Sequence, residues 1–94
     1  MIIFITMELT SDTIMKLITS LLNKKWYEII TDISVDYQKT DSDSAITVYI
    51  EFAEGIFDSL DDDEEQVKFN IRSDIRDIVK YISPTFVFFR FNTI

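Results

Sequence analysis

The sequence predicts one α+β domain spanning residues 1–94, a two-layer sandwich with two helices on one face of an antiparallel sheet. Three observations carry this. Two mid-chain segments alternate apolar and polar residues with the period of a half-buried strand, joined by a short polar stretch. Two other segments repeat apolar residues at helical spacing. Each end of the chain bears an apolar segment rich in β-branched or aromatic residues.

Residues 2–6 read as a short strand, apolar on both faces and hence central in the sheet. Thr10 reads as a helix N-cap, with Leu9 and Ile14 placed as a hydrophobic staple. Ile14, Leu17, Ile18 and Leu21 form that helix's apolar face, and Lys24 and Lys25 fall in its last turn. Residues 27–37 alternate: Tyr27, Ile29, Ile33, Val35 and Tyr37 face inward, while Glu28, Asp32, Ser34 and Asp36 face outward with Ile30 among them. Residues 38–44 read as a hairpin loop. In residues 45–54, Ile46, Val48, Ile50 and Phe52 face inward, and Thr47, Tyr49 and Glu51 outward.

Gly55 ends that strand, and Ser59 with Asp62 resembles a capping box. A second helix runs to about Ile82, buried through Val67, Ile71, Ile75, Ile78, Val79 and Ile82, and Ser83-Pro84 stops it. Residues 85–92 form a final strand. The β-α-β-β-α-β order is that of a ferredoxin-like split βαβ sandwich; the alternative, α-β-β-α-β, frays the first strand. In this order the last strand lies at an edge. Phe86 and Phe88, alternating against Val87, Phe89 and Phe91, then mark either a residual core contact or a dimer surface.

Composition excludes much chemistry. The chain has no Cys and no His, so thiol nucleophiles, disulfides, cysteine zinc sites and histidine-based triads are absent. A single Gly leaves no phosphate-cradling loop. Asp41-Ser42-Asp43-Ser44 imitates the start of a calcium loop, but Ile46 and Phe52 stand where that loop needs Gly and Glu. No metal or cofactor is expected, and no enzymatic activity. The apolar start lacks the basic region of a signal peptide, and no run reaches the length of a membrane helix, so a cytoplasmic location is expected. Met7 is an alternative start. The frequent Ile and scarce Ala suit an AT-rich coding sequence such as a phage carries.

Charge is unevenly placed. Residues 28–65 carry a net −12, against +1 before and +3 after, within a total of −8. Crowded like charges repel, so the concentration is either a solubilising face or a surface for a basic partner. The expected partner-binding residues are Glu28, Asp32, Asp36 and Glu51, with the run Asp61, Asp62, Asp63, Glu64 and Glu65. Arg72, Arg76 and Lys80 form a basic stripe on the second helix, whose ordinary use is ion pairing with the acidic hairpin. Direct nucleic-acid binding is not expected of so acidic a chain. Trp26 is expected to cap the core at the helix-to-strand junction.

In general form the chain resembles small acidic inhibitors and immunity proteins, which neutralise nucleases and other nucleic-acid-binding enzymes by covering their basic clefts. Phage-encoded anti-host proteins and DNA mimics share that form. The likeness is one of composition and implies a non-enzymatic binding protein with a basic protein partner. The alternative is an assembly module that homodimerises through Phe86 and Phe88.

Overall fold

The computed structural model describes residues 9–60, 63–81 and 86–93. Helix α1 (Ser11–Leu21) leads through a 3₁₀ turn (Lys24–Glu28) to strands β1 (Ile30–Lys39) and β2 (Ser44–Phe52). A second 3₁₀ turn (Ile56–Asp58), helix α2 (Glu64–Val79) and strand β3 (Phe86–Thr93) follow. The class is α+β, and the described elements run α-β-β-α-β. The expected strand at residues 2–6 lies outside the described residues.

Helix α1 begins where its cap predicts. Thr10 Oγ1 accepts from the Thr13 N–H at 3.2 Å, and Thr13 Oγ1 accepts from the Thr10 N–H at 2.9 Å. The two threonines thus satisfy each other's backbone, a capping box. The helix stops at Leu21, short of the lysines. Asn23 Oδ1 accepts from the Lys25 N–H at 3.1 Å and opens a separate turn, which holds Lys24 to Glu28. Leu21, expected on the apolar face, is 59% exposed; Leu22 is buried instead.

Strands β1 and β2 form the expected antiparallel hairpin, with Ile33 opposite Ile50, Val35 opposite Val48 and Tyr37 opposite Ile46. The beginning of β1 differs from expectation. Tyr27 and Glu28 belong to the 3₁₀ turn, and the register shifts between Ile30 and Asp32. This bulge takes Thr31 out of the ladder, so Ile30 and Ile33 both face the core. Ile30, expected among the outward acids, is therefore buried.

Strand β3 pairs with β2 in parallel, giving the order β1-β2-β3. The sheet is mixed rather than antiparallel. The reason lies in the connection: a strand that returns through a crossover helix to its neighbour runs the same way. The two strands that a ferredoxin-like sheet separates are here direct neighbours.

Ile33, Val35, Tyr37, Ile46, Val48, Ile50, Phe52, Val87, Phe89 and Phe91 share one sheet face. Ile14 and Ile18 of α1 and Val67, Ile71, Ile75 and Val79 of α2 join them in a single core. Ser59 does not cap α2: its Oγ donates to the Ile56 carbonyl at 2.9 Å, and Asp63 takes the N-cap position. The last residue of α2 is Val79, and Ile82 lies outside the described residues. Among the described residues no helix is long and apolar enough to cross a membrane.

Candidate functional site: the open sheet face

Both helices pack on one side of the sheet, and among the described residues no helix or turn covers the other. Strand periodicity sends alternate side chains to that open face. Four cross-strand rows result: Asp32–Glu51–Asn92, Ser34–Tyr49–Arg90, Asp36–Thr47–Phe88 and Gln38–Ala45–Phe86. One corner of the face is therefore acidic and the opposite corner aromatic.

The acidic corner holds Asp32 directly opposite Glu51. Like charges in this position destabilise a sheet. Neither they nor Asp36 has a cation within 4.0 Å among the described residues. Glu51 is steadied by Thr31, whose hydroxyl sits 3.1 Å from its carbonyl and 3.3 Å from Oε1. Gln38 Nε2 donates to Asp36 Oδ2 at 3.2 Å. A shallow depression of about 220 Å³ opens here, lined by Asp32, Ser34, Tyr49, Glu51, Arg90 and Asn92. The aromatic corner presents Phe86 at 72% exposure, Phe88 at 55% and Tyr49 at 44%.

The expected acidic surface thus divides. Asp32, Asp36 and Glu51 come together on the open face. Glu28 sits in the 3₁₀ turn before β1. Asp63, Glu64 and Glu65 begin α2, in the helical layer across the sheet, and Lys68 lies 3.6 Å from Glu64 and 4.0 Å from Glu65. Asp61 and Asp62 lie outside the described residues. Arg90 and Asn92 enter the site unforeseen; their alternation with Phe89 and Phe91 was the available signal.

The basic stripe on α2 does not pair with the acidic hairpin. Arg72 lies over the Phe91 ring at 5.5 Å and Arg76 over Phe89 at 5.3 Å. Lys80 pairs with Asp77 at 3.4 Å. Trp26 is buried, and its indole N–H donates to Asp74. The Tyr27 hydroxyl donates to the Thr19 carbonyl, and burial raises its pKa above the ordinary 10.0.

Among the described residues no group of acids is arranged to hold a metal ion. What the open face offers is carboxylate acceptors beside flat apolar rings, chemistry suited to holding a cationic surface. No protein-family model, curated protein or solved structure matches the chain.

Proposed function

We propose that this chain is a non-enzymatic binding protein of the inhibitor or immunity type. Its open sheet face docks on a basic protein, such as a nuclease or another nucleic-acid-binding protein. A phage-encoded anti-host protein or DNA mimic would use the same face. The observation that carries this reading is the Asp32–Glu51 pair: two carboxylates directly opposed, with no cation within 4.0 Å among the described residues, on a face bordered by exposed Tyr49, Phe88 and Phe86. A basic partner would neutralise the repulsion, and the aromatic corner would supply buried apolar area.

The test is a low-salt capture comparing the native chain with Asp32→Lys/Glu51→Lys and with a control, Glu64→Lys/Glu65→Lys. The reading expects a partner held by the native chain and the control, lost by the sheet-face variant, and weakened by salt.

A second reading rests on the exposure of Phe86 and Phe88 on an edge strand. These rings would meet those of a second copy in a homodimer. Sedimentation of the native chain against Phe86→Ser/Phe88→Ser tests it, a dimer lost in the variant being the expected result.

A further inference from the structure

The chain has three arginines: Arg72 and Arg76 lie over the rings of β3, and Arg90 belongs to it. Arg72 and Arg76 project from α2 over the Phe91 and Phe89 rings on the core side of the strand. Arg90 lies on the strand itself, facing the open side in the row with Tyr49. In a chain with 17 acids, none of the three has a carboxylate within 4.0 Å among the described residues. Rings hold the two helical guanidiniums in place, and among the described residues their hydrogen-bonding edges meet no acceptor.

Among the described residues, strand β3 is also the end of the sheet. Its outer backbone N–H and C=O groups have no strand partner among the described residues. Edge strands are ordinarily guarded by proline, inward charge, bulges or short length. This one runs eight residues, Phe-Val-Phe-Phe-Arg-Phe-Asn-Thr, with no proline and with an unbroken register against β2.

The spacings of helix and strand agree. Four residues of helix separate Arg72 from Arg76, a rise of about 6.0 Å. Two residues of strand separate Phe89 from Phe91, a rise of about 6.7 Å. A strand added outside β3 would thus bring every second side chain past one arginine. The intervening side chains would face the open side, next to Phe86, Phe88 and Arg90.

We infer that the outer edge of β3 is a strand-addition site for an extended acidic segment of a partner protein, in which carboxylates alternate with apolar residues. Backbone pairing supplies the hold, and the arginine forks select carboxylates at every second position. A single-stranded nucleic acid is the less favoured occupant, because a sugar–phosphate backbone has no alternating N–H and C=O groups to extend the ladder outside β3. This site is separate from the acidic corner and does not depend on the function proposed for it.

The experiment is an amide chemical-shift titration of the full chain with a capped eight-residue peptide alternating Glu and Val. The expected result is saturable shifts along Phe86–Thr93. Affinity should fall at least fivefold when Gln replaces Glu in the peptide, and equally with Arg72→Gln/Arg76→Gln. No shifts along β3 at millimolar peptide would overturn the inference, as would equal binding of the Gln peptide. Tighter binding of oligothymidylate at the same amides would overturn it in favour of nucleic acid. Concentration-dependent β3 shifts of the protein alone would overturn it in favour of a second copy. Because the peptide comparison uses the native chain, it decides the matter even if the arginine variant unfolds.

Discussion

The indole N–H of Trp26 donates to Oδ2 of Asp74 at 2.7 Å, joining residues 48 positions apart. It ties the 3₁₀ turn after α1 to the middle of α2. Lys25 lies over the same indole at 4.6 Å. The tryptophan is thus both core cap and cross-brace.

Removing the acceptor leaves a buried N–H without its partner. Asp74→Ala should lower stability by about 1–3 kcal/mol, with Asp74→Asn losing less because its amide oxygen still accepts. Denaturant unfolding followed by fluorescence of this single tryptophan reads both changes.

Phe52 is fully buried, edge-on to Phe57 at 4.9 Å and stacked on Phe91 at 5.8 Å. Phe52→Ala should cost about 3–5 kcal/mol through lost burial and the cavity left behind. Phe88, on the open face, is 55% exposed and packs against no such cluster among the described residues, so Phe88→Ala should stay within about 0.5 kcal/mol. Thermal or urea melts of the pair check the contrast.

Gly55 has φ of 76°, in the left-handed region, where it turns the chain out of β2. A Cβ there would meet only Asp58 Oδ2, at 4.0 Å, so space is not the constraint. Gly55→Ala should therefore cost only the backbone penalty, about 1–2 kcal/mol. Urea unfolding measures it.

Tyr27 has its pKa raised above 10.0 by burial, and its hydroxyl needs the proton to donate to Thr19. The folded state holds that proton more tightly than the unfolded state. Its contribution to stability is therefore complete below about pH 10 and declines as pH rises through the folded pKa. Tyrosine absorbance titration of the native chain against Tyr27→Phe should show the late-ionising component lost in the variant.

Much of the fold is legible because its signals are local. The alternation of Ile46, Val48, Ile50 and Phe52 states which face is buried, and Thr10 marks a helix start. What escapes reading depends on pairing partners. Thr31 becomes a bulge only against Glu51 of the opposite strand, and that bulge reverses Ile30. The direction of β3 is set by the crossover, not by its own residues. The site divides for the same reason. Charge counting groups Glu28, Asp32, Asp36 and Glu51 with Glu64 and Glu65, whereas the layers place the last two across the sheet. By spacing alone Arg72 and Arg76 suit ion pairing with acids, but the nearer groups are the Phe91 and Phe89 rings, which lie beneath them once β3 docks.

In the proposed function the Asp32–Glu51 corner, and not acidity in general, is what engages a basic partner. The most direct measurement is the partner affinity of the native chain, Asp32→Lys/Glu51→Lys and Glu64→Lys/Glu65→Lys across a salt series, all three with the native fold verified by their amide spectra. That assignment requires at least a tenfold loss and a shallower salt dependence for the sheet-face variant, and less than a twofold change for the helix variant. Equal losses in both variants, or none in either, would contradict it.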